Sequence, residues 1–217
     1  MINNIHYNTV TPILQSILNE LMQAKELEKF RLVGGTSLSL QLGHRLSVDI
    51  DLFTDELYGS VDFKHIDVYL RKTFPYVSTS NQELIGMGTS YIIGHNEQEA
   101  IKLDLYYTDP FIQEAIIIDN IRMATIEEIL AMKLDVIARG GRKKDFWDIH
   151  ELVNRYDINQ MLDLHQQRHP YGSNQAEVLK KFIDFSNAEE DFDPICLRNK
   201  DWRLIKIDIV EFAKSQK

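Results

Sequence analysis

The sequence has few of the features that mark membrane, secreted or nucleic-acid-coating proteins. Of its 217 residues only Cys196 is a cysteine, which excludes an internal disulfide framework and fits a reducing compartment. No apolar run approaches the roughly 20 residues that span a bilayer, and the first ten residues lack the basic start and apolar core of a signal peptide. The formal net charge of −9 argues against a broad basic surface for nucleic acid, although it leaves room for a local basic pocket. We therefore expect a soluble, cytoplasmic protein that does not contact a membrane.

The order of elements predicted from hydrophobic periodicity divides the chain into two parts. The composition, 44% hydrophobic and 26% charged, is ordinary for a globular protein, and there is no internal repeat, low-complexity tract or Pro/Gly-rich linker. The spacing of apolar residues predicts helices near 9–27, 36–42, 61–74, 126–138, 144 onward, 158–167, 174–185 and 202–215, and strands near 30–33, 49–53, 76–80, 90–94 and 100–107. We expect an α+β fold in which 1–124 form an α/β core with a mixed sheet and flanking helices, and 125–217 form a helical region.

Two aspartates on one predicted strand give the strongest indication of chemistry. In the segment 48–53, Val-Asp-Ile-Asp-Leu-Phe, side chains two residues apart point the same way, so Asp49 and Asp51 share a face while the aliphatic residues enter the core. Two adjacent carboxylates repel each other unless a cation lies between them, and oxygen ligands suit Mg2+. Asp104 is a third candidate ligand, on a second strand that carries Lys102 on the same face. Taken alone it fits a solvent-facing residue, but beside the other two it completes a two-metal nucleotide site.

Gly34 and Gly35 follow the predicted strand 30–33 and precede a predicted helix. The pair fits an ordinary tight turn, since glycine adopts backbone angles that other residues avoid. A turn from strand into helix also presents backbone N–H groups to an anion. The hydroxyls of Thr36 and Ser37, either of which could cap the helix, lie at the same place. With two aspartates downstream, the pattern favours a phosphate-binding turn.

Lys133 lies at the centre of the apolar face of the helix predicted over 126–138. A lysine there is costly unless it meets an opposing charge. It fits either a snorkelling lysine at the rim of the core or one that reaches a phosphate or an active-site carboxylate. Asp145 and Asp148 share the inner face of the next helix and predict a buried polar network with this lysine, although Asp145 also fits a helix cap. Lys143 lies in the basic run between the two helices, and it fits a solvated turn as well as it fits this polar network.

Two candidates are weaker. His165 and His169 have the spacing of metal ligands on a helix, but a proline follows and no carboxylate pattern supports them, so we expect surface histidines. Cys196 has no identifiable base partner, which leaves a thiol nucleophile unsupported.

Four motifs in sequence order resemble those of the AbiEii/AbiGii-type nucleotidyltransferase toxins, which belong to the DNA polymerase β-like nucleotidyltransferase superfamily. The motifs are Gly34-Gly-Thr-Ser-Leu38, Arg45-Leu-Ser-Val-Asp-Ile-Asp-Leu-Phe53, Leu130-Ala-Met-Lys133 and Arg142-Lys-Lys-Asp-Phe-Trp-Asp-Ile149. A glycine pair followed by Asp-x-Asp is moderately specific by itself. The arginine and serine before it, with the later lysine and Lys-Asp-x-x-Asp elements, make the resemblance strong over roughly residues 30–155.

The resemblance implies a minimal, palm-like mixed sheet followed by a helical C-terminal half. It implies transfer of a nucleoside monophosphate from an NTP to an acceptor hydroxyl, with release of pyrophosphate. It also implies Mg2+, or Mn2+ in its place, held by Asp49, Asp51 and Asp104, with Asp104 accepting the hydroxyl proton. Family members are toxins of toxin–antitoxin or abortive-infection systems, and some modify tRNA ends, which implies an RNA acceptor and a cognate antitoxin protein.

The same resemblance assigns the remaining site residues. The triphosphate would be held by the turn 34–37 together with Arg45 and Ser47, and Lys133 would contact the nucleotide phosphates. Asp145 would belong to the catalytic network.

Two other functions stay open at this point. A small-molecule acceptor, as in antibiotic-modifying nucleotidyltransferases, keeps the chemistry and is favoured slightly by the acidic balance, whereas the basic cluster at 139–144 favours RNA. A catalytically inactive nucleotide-binding module is disfavoured because all three carboxylates are present.

Overall fold

The computed structural model describes residues 4–79 and 86–215, and these belong to two compact units. The first unit comprises the chain up to Gly43 together with Ser47–Ala124. The second comprises His44–Leu46 together with the chain from Thr125 onward. The division before Thr125 lies where the sequence changes from mixed to helical, but the assignment of three upstream residues to the second unit has no signal in hydrophobic periodicity. A segment of three residues is too short to show a period.

The first unit is a mixed sheet with helices. The helices are α1 (Pro12–Gln23), α2 (Gly34–Leu42) and α3 (Phe63–Thr73), with 3-10 turns at Tyr7–Thr9 and Lys25–Leu27. The strands are β1 (Arg31–Leu32), β2 (Asp49–Thr54), β3 (Tyr76–Thr79), β4 (Gly88–Gly94), β5 (Ala100–Tyr107), β6 (Ile116–Ile118) and β7 (Ile121–Met123). In the described residues they form one seven-stranded sheet of order β3-β4-β5-β2-β1-β7-β6. The pairs β2/β5 and β1/β7 are parallel, and the other pairs are antiparallel.

Alternation of apolar and polar residues gives the sheet two different faces. On β2, Ile50 and Leu52 are fully buried, whereas Asp49 and Asp51 are only half-buried. Strand β5 alternates in the same way, and the apolar residues of both strands join those of α1 and α3 in one core. Each such aliphatic side chain contributes about 1.5–3 kcal/mol through its burial. The opposite face of β2 and β5 therefore carries the polar residues.

The predicted α+β fold is confirmed, with differences at individual elements. Strands 49–53 and 100–107 are correct to within one residue, and β4 pairs with β5 as an antiparallel hairpin. The helix predicted over 9–27 is too long at both ends, because Thr11 caps α1 and a 3-10 turn follows it. The strand predicted over 76–80 ends at Thr79, and Ser80 lies outside the described residues.

Periodicity missed the hairpin of β6 and β7. Asp119 and Asn120 join the two strands with φ angles of 50° and 64°. These are the positive angles that a two-residue hairpin turn requires, and asparagine and aspartate tolerate them better than most residues. The Asp-Asn pair between two isoleucine-rich segments was the available signal.

The second unit is helical. Its helices are α4 (Ile126–Ala138), α5 (Lys143–His150), α6 (Ile158–Arg168), α7 (Gln175–Phe182) and α8 (Trp202–Lys214). The sequence Thr125-Ile-Glu-Glu128 is a capping-box signature for the start of a helix. The Thr125 hydroxyl accepts the N–H of Glu128 at 3.2 Å, so α4 begins where this signature predicts. The three upstream residues of this unit pair with a later segment: Leu46 N–H donates to the Ile195 carbonyl at 2.9 Å, and Leu197 N–H donates to the His44 carbonyl at 2.9 Å.

An aromatic cluster organises the core of the helical unit. The rings of Trp147 and Trp202 are stacked, with centroids 6.3 Å apart and planes 8° apart, and Phe146 and Phe185 contact the same group. Such ring pairs stabilise by about 0.5–1.5 kcal/mol beyond the burial of their area. Over residues 4–79 and 86–215, every helix is too short or too polar to cross a bilayer.

Candidate functional site

The register of the two central strands brings three carboxylates onto one face of the first unit. Strands β2 and β5 are parallel, with Asp51 opposite Asp104 and Asp49 opposite Lys102. All four belong to the face that alternation turns away from the apolar core, and none of them is fully buried. The structure therefore unites the predicted carboxylates, two through the period of one strand and the third through the pairing of a second strand.

Both carboxylate oxygens of Asp104 are engaged by neighbours on the same face. Ser90 on β4 donates its hydroxyl hydrogen to Oδ1 at 2.6 Å, and the Tyr106 hydroxyl lies 3.1 Å from the Ser90 Oγ. Lys102 Nζ lies 2.5 Å from the Asp104 Oδ2. Burial lowers the pKa of the Lys102 amine, but its hydrogen bond to Asp104 and the charges of Asp104, Asp49 and Asp51 outweigh that effect and raise it. Ser90, which the sequence gave no reason to select, is thus part of the candidate site.

The carboxylate face holds a cation of its own. Within the described parts of the chain, no group of three or more His, Cys, Asp or Glu side chains is gathered closely enough to hold a metal ion as it stands. On this face the Asp104 side chain is paired with Lys102. The donor set nevertheless fits a hard divalent cation, because all three acidic side chains offer oxygen and the face already attracts positive charge.

The glycine turn lies directly against the carboxylates. Gly34 begins α2 with φ of +67°, and the preceding Val33 N–H donates to the Asp51 carbonyl at 2.9 Å. A Cβ atom at position 34 would collide with the Asp51 Oδ2. The backbone angle favours glycine there, and a larger residue would have to push the Asp51 carboxylate aside. The first N–H groups of a helix have no partner within the helix, and the start of α2 lies beside Asp51.

The hydroxyls expected at the phosphate turn are buried. The helix begins at Gly34, so Thr36 and Ser37 lie inside it and the expected N-cap at either residue is wrong. The Thr36 Oγ1 lies 2.7 Å from the Ser47 Oγ and also bonds the Asp49 carbonyl, while the Ser37 hydroxyl accepts from Gln41. Thr36 thus holds the turn and the start of β2 together, whereas the Ser37 bond lies within α2. Contact of these hydroxyls with phosphate stays a prediction.

The helical unit contains a buried ion network centred on Asp148. Arg45 donates from Nε to its Oδ1 at 2.6 Å and from NH2 to its Oδ2 at 2.8 Å, and His44 Nε2 lies 2.8 Å from Oδ1. Lys133 Nζ lies 2.6 Å from the Asp145 Oδ1 and 2.9 Å from the Asp148 Oδ2. The predicted network between Lys133 and the two aspartates is confirmed. Its link to His44 and Arg45, about a hundred residues upstream, was beyond the reach of helical periodicity.

Opposing charges offset burial throughout this network. Burial raises the pKa of the Asp148 carboxyl, but the charges of Arg45 and Lys133 hold it well below its usual value. Burial also raises the pKa of the Asp145 carboxyl, but the charge of Lys133 and its hydrogen bond outweigh that effect and lower the pKa. Burial lowers the pKa of the Lys133 amine, yet the charges of Asp148 and Asp145 outweigh it and raise the pKa. Arg45 and Lys133 are therefore occupied by carboxylates, which differs from the expected contact of either residue with the nucleotide.

Several polar residues expected at the surface are buried. His165 is fully buried, so its assignment as a surface histidine is wrong, and Arg168 one turn later forms an ion pair with the buried Glu128. Lys143 is also buried, with Nζ 3.0 Å from the Asp193 Oδ1. A solvated turn at this lysine is therefore wrong, and part of the basic cluster is used inside the unit.

The chain is similar to known proteins in both sequence and structure. The sequence profile described as "Nucleotidyl transferase AbiEii toxin, Type IV TA system" matches residues 16–216. The uncharacterized protein aq_aa25 of Aquifex aeolicus (strain VF5) is 27% identical over 170 residues, which cover 75% of this chain and 76% of that protein.

Two solved structures share the fold. JHP933 from Helicobacter pylori superposes with a TM-score of 0.57 at 16% identity, over 92% of this chain and 89% of that one. MenT4, the nucleotidyltransferase toxin Rv2826c from Mycobacterium tuberculosis H37Rv, superposes with a TM-score of 0.55 at 15% identity, over 91% of this chain and 84% of that one. At such low identities the structural similarity shows only the fold, and the match to the sequence profile shows the family. The chain belongs to the AbiEii family of nucleotidyltransferase toxins, and its activity class is that of an NTP-dependent nucleotidyltransferase.

Proposed function

We propose that this chain transfers a nucleoside monophosphate from an NTP to a hydroxyl of RNA, tRNA in particular, and acts in the cytoplasm as the toxin of a pair with a cognate antitoxin protein. The observation that carries the proposal is the alignment of Asp51 with Asp104 on neighbouring parallel strands, with Gly34 packed against the Asp51 carboxylate. Family membership supports the reaction class and the toxin role.

Asp49, Asp51 and Asp104 would hold Mg2+, or Mn2+ in its place. When bound, the metal neutralises triphosphate charge and lowers the pKa of the attacking hydroxyl. The chain's own contribution begins with the N–H groups of Gly34 and Gly35, which would donate to phosphate oxygens at the start of α2.

Asp104 would accept the proton of the acceptor hydroxyl, and Ser90 orients its carboxylate through the bond to Oδ1. Thr36 and Ser47 fix the phosphate turn to β2 through the hydroxyl contact at 2.7 Å. Most of the rate enhancement would then come from orientation and charge compensation.

The buried network changes the assignment of the helical residues. Lys133 pairs with both Asp145 and Asp148, and Arg45 pairs with Asp148. Contact of Lys133, Asp145 or Arg45 with a ligand would therefore break a buried ion pair. We therefore propose positioning roles for them, in which Asp148 fixes the backbone of 44–46 through Arg45. That segment immediately precedes Ser47 and Asp49 in the chain.

A small-molecule acceptor is the second candidate. It is favoured by the net charge of −9 and by the internal pairing of the basic cluster, where Lys143 meets Asp193 and Arg139 meets Asp135. An inactive nucleotide-binding module is disfavoured by the intact carboxylate face.

Transfer of label from NTPs radiolabelled on the α-phosphate separates these functions. The protein would be incubated with Mg2+ and each of four labelled NTPs, together with total bacterial RNA, purified tRNA or an aminoglycoside. We expect label on the tRNA fraction with wild-type protein and with Asp67→Asn, and none with Asp49→Asn. Asp67 is the control because its carboxylate is partly exposed on α3 and pairs with Arg71.

Label on the aminoglycoside alone would replace RNA by a small molecule. Absence of label on every acceptor, with normal growth of cells expressing the protein, would contradict the toxin function. Co-expression with the neighbouring open reading frames tests for an antitoxin, since only a cognate partner should restore growth.

A further inference from the structure

Lys102 occupies the place on the carboxylate face where a metal cation would otherwise neutralise charge. Its strand position is directly opposite Asp49, and its Nζ lies 2.5 Å from the Asp104 Oδ2. The side chain is 46% exposed, so its charged end can leave the carboxylate for solvent without opening the core. The ammonium thus sits among the same groups that are proposed to hold the divalent ion.

Both oxygens of Asp104 already accept a hydrogen bond. Ser90 donates to Oδ1 at 2.6 Å and Lys102 donates to Oδ2, and an ammonium is a donor only. Each oxygen keeps a second lone pair, so a divalent ion that binds Asp104 competes with the positive charge of the ammonium that lies at Oδ2.

We propose that Lys102 is a resident counter-cation that a divalent metal must displace from Asp104, so that this lysine sets the metal affinity of the site. The inference rests on the proposed function only in taking the carboxylate face as the metal site. The lysine offsets the repulsion between the three carboxylates before ligands bind. When its ammonium group moves away, Asp104 becomes available to the metal. Lys102 is a positioning residue in this account, acting through Asp104.

Mn2+ binding in the absence of nucleotide tests the inference without any assay of activity. The free Mn2+ signal in electron paramagnetic resonance falls as the ion binds. We expect Lys102→Met to bind Mn2+ about tenfold more tightly than wild-type protein, because one competing positive charge at hydrogen-bond range has been removed. Lys102→Arg keeps the charge and should bind like wild type. Lys72→Met, an exposed lysine at the end of α3, is the matched control and should also leave the affinity unchanged.

The outcomes separate this inference from the proposed function. Tighter binding by Lys102→Met that Asp51→Asn abolishes supports both. Equal or weaker binding by Lys102→Met, with binding still lost in Asp51→Asn, overturns the counter-cation and leaves the metal site standing. Binding by neither wild type nor Lys102→Met, or binding that Asp51→Asn leaves intact, overturns the metal site and the inference together. Circular dichroism of each variant checks that the fold is retained.

Discussion

Replacement of Asp148 by asparagine should destabilise the helical unit far more than loss of a surface ion pair. The carboxylate is fully buried and receives Arg45 through two hydrogen bonds, with His44 and Lys133 also in contact. Asparagine has about the same size as aspartate but carries no charge. Of the two aspartates in this network, Asp145 alone would remain to offset the buried charges of Arg45 and Lys133. Breaking one side of a buried ion pair typically costs about 3–5 kcal/mol. That is a large share of the about 5–15 kcal/mol that holds a typical protein folded.

Tryptophan fluorescence during urea unfolding measures this change. Both tryptophans of the chain, Trp147 and Trp202, lie stacked in the core of the helical unit, so their emission reports its unfolding. Asp208→Asn on α8 removes a half-exposed carboxylate paired with His150 in the same unit. It should change the unfolding free energy by less than about 1 kcal/mol.

The depressed pKa of Asp148 also predicts how this difference depends on pH. The folded state holds that pKa well below the unfolded value of about 4, so the unfolded chain binds the extra proton as the pH falls. The stabilisation is complete above that unfolded value and is lost as the pH falls through the folded pKa. The difference between wild type and Asp148→Asn should therefore shrink between pH 7 and pH 3. A cost like that of Asp208→Asn, or one that stays constant over this range, would refute the reasoning.

Two further substitutions test the geometry of the carboxylate face. Gly34→Ala should lower both thermal stability and transfer activity, because it strains a φ of +67° and pushes against Asp51. The control is Gly59→Ala, at a φ of +83° with open space around it. It should cost only the backbone strain of about 1–2 kcal/mol and leave transfer unchanged. Equal melting temperatures and activities for the two variants would argue against the close approach. Ser90→Ala should slow transfer about tenfold or more by releasing Asp104, while the unfolding free energy changes by about 1 kcal/mol. A purely structural serine would lower stability and spare kcat.

How far the sequence predicts the site depends on how local each signal is. Asp49 and Asp51 could be paired from the sequence because the two-residue period of a strand is a local property. Lys133 could be recognised as an internal charge because it breaks the apolar face of one helix. Both were found from the residues alone.

Contacts that depend on tertiary pairing could not be predicted from the sequence. The neighbours of Asp104 follow from which strand pairs with β5, and Ser90 enters the site only through that pairing. Asp148 meets Arg45 across about a hundred residues of chain, and Arg168 meets Glu128 between two helices. Because a polar residue is predicted to be exposed unless its partner is known, the sequence places His165 at the surface, whereas it lies in the core.

The most direct test of the central claim is to follow the two ends of the triphosphate separately. NTP labelled on either the α- or the γ-phosphate is incubated with Mg2+, bacterial RNA and either wild-type protein or Asp51→Asn. Nucleotidyl transfer predicts α-label on the acceptor and γ-label in released pyrophosphate, and the Asp51 variant should give neither. γ-Label on the acceptor would indicate phosphoryl transfer instead, and undiminished transfer by Asp51→Asn would contradict the assignment of the carboxylate face.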